Sequence, residues 1–139
     1  MPIVEWTDSF LIGVEPFDEH HKHLVDLLNR SYNEFVLGAP VERAGAILDE
    51  LFDYACYHFV AEEFWMSKSS YPKTKQHIEE HNYFTQRLQQ ISRDYRQGNT
   101  AISLEIMTFL KEWLINHILK SDADYGHFVT PRQKTSHPD

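Results

Sequence analysis

The sequence predicts an all-α fold: an antiparallel up-down four-helix bundle with an N-terminal arm packed across the helix ends. Four long stretches place apolar residues at alternating steps of three and four, the spacing of one helix face. The breaks near Gly38, Ser70 and Gly98 are short, and short connections make consecutive helices antiparallel neighbours. No stretch alternates with a period of two, as a half-buried strand would.

Residues 1–16 read as an irregular arm, because Gly13 and Pro16 break it while Trp6, Phe10, Leu11 and Ile12 offer apolar surface. The first helix is expected from Phe17 or Asp18 to about Leu37, stopped by Gly38. Its seam is Leu24, Leu28, Ser31 or Tyr32, and Phe35; traced backwards by the same steps it reaches His21 and Phe17. The second helix follows Pro40 and runs to about Lys68, with Ala44, Leu48, Leu51, Ala55, His58, Glu62 and Trp65 on its seam. The third opens at Pro72, a favoured first-turn residue, and ends near Gly98. Its seam is His77, His81, Phe84, Leu88, Ile91 and Tyr95. The fourth runs from about Ala101 to the Lys120–Asp124 region, with Ile106, Leu110, Trp113 and His117 inside. After Val129 the apolar pattern stops, so the expected domain is residues 1–130, followed by a mobile tail over 131–139.

A chain of 139 residues with 42% apolar and 14% aromatic content can bury a sizeable core as one domain. Its net charge of −8 is the wrong sign for a nucleic-acid partner or an anionic membrane surface. No window approaches the ~18 apolar residues of a spanning helix, and the N-terminus lacks a signal-peptide pattern. A reducing cytoplasm is the expected setting, for a monomer. Cys56 is the sole cysteine, which excludes an internal disulfide and a cysteine-rich zinc site; it reads as a small helix residue without chemistry.

The chemistry lies on the seams. His58 and Glu62 are four apart, and so are His77 and His81, so each pair shares one helix face. Up-down topology puts the start of the first helix, the end of the second, the start of the third and the end of the fourth at one end of the bundle. His21 and His77 lie ~6–8 Å inside their helices, and His58, Glu62, His81 and His117 fall near the same level. Asp122 is a further candidate at an awkward spacing. Five residues from His117, it is rotated ~140° away on a regular helix, so only a bulge or unwound turn would bring both inward.

A single inward histidine is ordinarily a hydrogen-bonded core residue, and a single inward glutamate ordinarily reaches water near a helix end. Five histidines and two carboxylates at one level form a buried polar cluster costing several kcal/mol unless something pairs with it. A bound metal does so, with imidazole and carboxylate suiting a borderline transition metal, iron or manganese. Seven ligands exceed what a four-coordinate zinc accepts. Shared between two octahedral ions, with both carboxylates and one solvent oxygen bridging, they fill one ion and leave its partner an open position.

This pattern resembles the hemerythrin-like proteins of the bacterial type. Their succession of His, His-x-x-x-Glu, His-x-x-x-His and His-x-x-x-x-Asp is matched by His21, His58 with Glu62, His77 with His81, and His117 with Asp122. Trp6 with Phe10, Asp18 with His21 and Lys22, and the flanking Trp113 and Tyr125 match as well, so the resemblance covers residues 1 to about 129. It implies a non-haem di-iron centre that binds dioxygen reversibly, with two iron ions bridged by Glu62, Asp122 and an oxo or hydroxo oxygen. His77, His81 and His117 would hold the six-coordinate iron, and His21 and His58 the open one. Leu114 and Ile118, with Phe59 after them, are the expected wall of the oxygen pocket. Of the neighbouring histidines, the seam selects His21, leaving His20 and His23 solvated; His127 and His137 fall outside the bundle pattern.

The resemblance implies oxygen storage or delivery, not an enzyme. Two other classes compete: an oxygen or redox sensor docking on a signalling partner, and a di-iron reductase of peroxide or nitric oxide. An oxygenase partner would fit delivery. Ferritin-like oxygenases use Glu-x-x-His motifs, which this chain lacks, and a histidine-rich site favours binding over oxygen activation.

Overall fold

Pro16 starts the first helix rather than breaking the chain before it. It sits in the first turn of α1 (Glu15–Val36), where the N–H that proline lacks would have had no helical partner. The computed structural model describes residues 3–38, 41–97 and 104–135. After α1 come α2 (Val41–Lys68), α3 (Thr74–Arg96) and α4 (Leu104–Asn116). A π-helical turn, His117–Asp122, then joins α4 to α5 (Ala123–Thr135), so the fourth rod is continuous but changes phase midway. The described residues contain no strand, and the four rods form the expected antiparallel bundle. No helix among them is long and apolar enough to cross a membrane.

The α2–α3 turn is closed by the last carbonyls of α2. Tyr71 N–H reaches the Met66 carbonyl at 3.0 Å and Ser70 N–H reaches that of Ser67 at 3.2 Å, with Ser70 at φ +57°. This is a Schellman ending, with Ser70 in the left-handed position that glycine usually fills. Its hydrophobic contact is present as well, since Met66 and Tyr71 belong to one buried cluster.

Three seam expectations shift by one residue. Met66, Met107 and Leu114 are buried, whereas Trp65 is 53% exposed and Ile106 and Trp113 are only half-buried. Strict alternation of three and four averages 3.5 residues per turn, while a straight helix has 3.6, so the apolar stripe drifts ~20° per heptad. Near the end of the 28-residue α2 the drift has passed the stripe from Trp65 to Met66; in the 13-residue α4 the inward phase is simply set by Met107, Leu110 and Leu114, one position off Ile106 and Trp113. Ala44 lies outside the residues whose side chains are described.

The fourth rod runs past its expected end. Tyr125 and Val129, four apart, are buried against Ile12, Phe17 and Met66, and this extra apolar face carries α5 to Thr135. The first five residues of the expected tail are therefore helical, and the last four lie outside the described residues.

The arm follows α1 lengthwise before crossing the helix ends. Asn29 grips it by accepting from Val4 N–H (3.0 Å) and donating to the Val4 carbonyl (2.9 Å). Further on, the Asp18 carboxylate accepts from Ile12 N–H at 2.7 Å, and Ile12 lies against Gly126 so closely that a Cβ there would stand 2.3 Å from its carbonyl oxygen. Val4 and Phe10 join the main apolar cluster with Leu24, Leu48, Leu88 and Leu110; Ile12 joins the smaller one with Phe17, Met66, Tyr71 and Tyr125. Between these clusters, on every rod, the chain places its buried histidines and the carboxylates of Glu62 and Asp122.

Candidate metal centre

Each rod delivers its polar groups between a residue of the small cluster and a residue of the large one. On α1, His21 stands between Phe17 and Leu24; on α2, His58 and Glu62 stand between Ala55 and Met66. On α3, His77 and His81 lie between Tyr71 and Phe84, and on the fourth rod His117 and Asp122 lie between Leu114 and Tyr125. None of the seven is more than 4% exposed. The π turn solves the spacing of the last pair. Its hydrogen bonds close over five residues, as from Ala123 N–H to the Ile118 carbonyl, which brings His117 and Asp122 to the same side.

The donor atoms fall into two groups sharing both carboxylates. Glu62 Oε1 is 3.1 Å from both His77 Nε2 and His81 Nε2, and Asp122 Oδ1 is 2.8 Å from His77 Nε2 and 3.2 Å from His117 Nε2. The opposite oxygens turn to the other side: Glu62 Oε2 is 3.2 Å from His58 Nε2, and Asp122 Oδ2 is 2.9 Å from His21 Nε2. Glu62, His77, His81, His117 and Asp122 thus surround one point, and His21, His58, Glu62 and Asp122 another, each set with donor atoms within 4.8 Å of one another.

These residues fit a metal. Four buried atoms of the smaller set, His21 Nε2, His58 Nε2, Glu62 Oε2 and Asp122 Oδ2, have no well-aligned hydrogen bond. So many inward donors at one point cost several kcal/mol unless a cation takes them. With only protons to share, burial by itself would push the histidines down, but the close Asp122 and Glu62 carboxylates raise His21 and His77 to about 9. At His117 the Asp122 charge leads the same reversal, to about 10. Burial pushes Glu62 and Asp122 the other way, yet the surrounding histidines hold both well below the carboxylate range. The layer is built to keep its carboxylates charged and to hold positive charge between them.

Outer nitrogens are anchored too. His81 Nδ1 is 2.8 Å from Glu63 Oε2, and His117 Nδ1 is 2.9 Å from Glu80 Oε1, which also accepts from Ser121 Oγ at 2.6 Å. The hydrogen bond from His117 draws Glu80 down to about 2. A polar cleft lined by His77, Glu80 and Ser121 brings solvent near this side. None of these three anchors is evident from the seams, although each stands next to a ligand position or one turn from it. A residue one step off the stripe sits ~100° round the helix, where the far edge of an inward imidazole emerges.

His20 departs from expectation. It is half-buried rather than solvated, with Nδ1 2.8 Å from His58 Nδ1, and burial foremost, then the charge of His58, lowers it to about 4. His23 is exposed as expected, its ring against Tyr54, and His127 is exposed; His137 lies outside the described residues. Leu114, Ile118 and Phe59 are all buried in the large cluster. Phe59 stacks on His81 at 3.9 Å and 6°, so it walls the three-histidine side. Cys56 is half-buried, and burial raises its thiol, with Asp53 adding to the shift, which makes it a poor nucleophile.

Residues 12–128 match the Hemerythrin HHE cation binding domain. The chain belongs to the hemerythrin family. Among its relatives, a bacteriohemerythrin of Stenotrophomonas maltophilia is 32% identical over 93% of this chain and 83% of that protein. A bacteriohemerythrin of Methylococcus capsulatus is 31% identical, covering 91% of this chain and 96% of the other. The fold of a solved wild-type hemerythrin superposes with a TM-score of 0.84 at 29% identity, over 89% of this chain and 95% of that one.

Proposed function

We propose that this chain binds dioxygen reversibly at a non-haem di-iron centre, as a storage or delivery protein and not as an enzyme. The observation that carries the reading is the division of Glu62 and Asp122, each turning one oxygen towards the side that holds His77, His81 and His117 and the other towards the side that holds His21 and His58. Two iron ions held there would supply the two electrons that reversible dioxygen binding needs and, on the two-histidine side, one open position.

The protein's own groups do the rest. His77, His81 and His117 would hold one ion, and His21 with His58 the other, with one donor fewer. Glu62 and Asp122, from two different rods, would hold both ions between them. Leu114 and Ile118 keep the layer dry on the large-cluster side, and Phe17, Met66 and Tyr125 close it from the helix ends. A dry wall slows the entry of water and protons that would carry off reduced oxygen and leave the centre oxidised. The bacteriohemerythrin relatives support this reading.

The test is an optical spectrum of iron-reconstituted, anaerobically reduced protein before and after admitting air. A visible charge-transfer band that appears with oxygen and disappears on its removal is the expected result. Direct passage to the oxidised spectrum would overturn the carrier role and favour redox sensing or peroxide chemistry.

A further inference from the structure

We infer that the outer contacts make the two halves of the donor layer unequal, and that His20 is the positioning residue of the weaker half. The inference rests on the reading of this layer as a two-cation site. A ligating imidazole offers the lone pair of one nitrogen and carries its hydrogen on the other. His58 turns Nε2 towards Glu62 Oε2 at 3.2 Å, so its Nδ1 holds the hydrogen and donates to His20 Nδ1, 2.8 Å away. His20 must then accept at Nδ1 and keep its own hydrogen on Nε2.

The acceptor is itself held. The His20 ring stands at 89° to both His58 and Tyr54, with Tyr57 at 5.3 Å and Phe17 at 5.9 Å. Aromatic faces on several sides leave the ring little freedom, and a fixed acceptor fixes the tautomer and tilt of His58.

What His20 does not bring is negative charge. In the three-histidine half, His81 and His117 donate to the carboxylates of Glu63 and Glu80. An anionic acceptor draws the N–H proton towards itself and makes the opposite nitrogen a stronger donor to a cation. A neutral imidazole does this less, and His21 Nδ1, on the same side as His58, is buried with no hydrogen-bond partner among the described residues. The three-histidine half therefore fills first and holds its cation more tightly, and the two-histidine half fills second.

Cobalt(II) titration of the cation-free, full-length protein, followed anaerobically by calorimetry and visible absorption, tests this. Wild type should take two ions in resolved steps, their affinities about tenfold or more apart. His20→Ala should weaken the second step by about 10–100-fold and spare the first, the range typical of removing an outer partner. His20→Gln, whose amide oxygen can accept the same bond, should recover most of the loss, and His20→Glu should tighten the second step beyond wild type. Nitrogen-15 histidine spectra of the loaded protein should place the His58 hydrogen on Nδ1. Coincident steps in wild type, a second step indifferent to His20, or the hydrogen on Nε2 would each overturn the inference. Those outcomes leave the two-cation reading standing; failure to bind any cobalt would remove both.

Discussion

Leu88 and His81 stand two turns apart on α3, both fully buried and both on its inner face. Leu88 belongs to the apolar cluster that holds Leu24, Leu28, Leu48 and Leu110; His81 belongs to the layer that holds four more imidazoles and two carboxylates. The same four-rod geometry serves both layers, and they contribute to stability by different means. Leucines gain by leaving water, whatever the solution holds. The polar layer gains only when its donors are shared with something positive, so its contribution depends on cation and pH while that of the leucines does not.

Stripping the cations should break this comparison most strongly. At a cation concentration a thousandfold above its dissociation constant, each site adds about 4 kcal/mol, and chelation should remove that from the urea unfolding free energy. The stripped protein should then titrate. His21, His77 and His117 are raised from 6.5 to about 9, 9 and 10, so their protons stabilise the fold fully below pH 6.5 and cease to as pH rises through 9–10. Glu62 and Asp122 are depressed, so their contribution holds above the ordinary carboxylate range and fades as pH falls. The cation-free protein should be most stable near pH 5–6 and weaken towards pH 10, whereas loaded protein should be flat over the upper half of that range. Equal pH profiles for both forms would show that the layer does not exchange protons for cations.

Truncation in the leucine layer sharpens the contrast. Leu88→Ala should cost about 2–5 kcal/mol, with the same loss in stripped and loaded protein and at every pH. Gly126→Ala should cost about 1–3 kcal/mol, because the new methyl meets the Ile12 backbone and the arm must lift; faster amide exchange at Ile12 would report it. The smallest effect lies outside both layers. Ser70→Gly should raise the unfolding free energy by about 0.5–1 kcal/mol, since glycine adopts φ +57° without strain, and cation affinity should not change.

The donor layer was more legible in the sequence than the elements around it. His58 with Glu62 and His77 with His81 carry the i, i+4 spacing in plain view, and the five-residue step from His117 to Asp122 announces a distorted turn. Stripe drift hid the exchange of Trp65 for Met66, because pattern matching assumes a period that long helices do not keep, and in α4 Trp113 and Leu114 are both apolar, so the pattern alone could not choose between them. Pro16 misled as a breaker because its meaning depends on whether a helix starts beneath it. His20, Glu63, Glu80 and Ser121 are just off the seam, and only the positions of the neighbouring rods show which off-seam residue meets an imidazole edge. The arm's course depends on Asn29 and Gly126, two residues with no periodic signature.

The π turn has a consequence for how this chain tolerates changes in length. It holds one residue more than an α-helix would need between His117 and Asp122, and everything after it is indexed to that surplus. Inserting one more residue beside the exposed Leu119 would leave every donor present and the rod helical, yet would turn Asp122, Tyr125, Gly126 and Val129 together by ~100°, whereas deleting Leu119 would restore an ordinary α turn that keeps them in phase. With the insertion, Asp122 would leave the donor layer at the same moment that the seat of the arm left Ile12. An insertion, which a loop absorbs at little cost, thus acts here as an all-or-none edit on two features some distance apart in the chain.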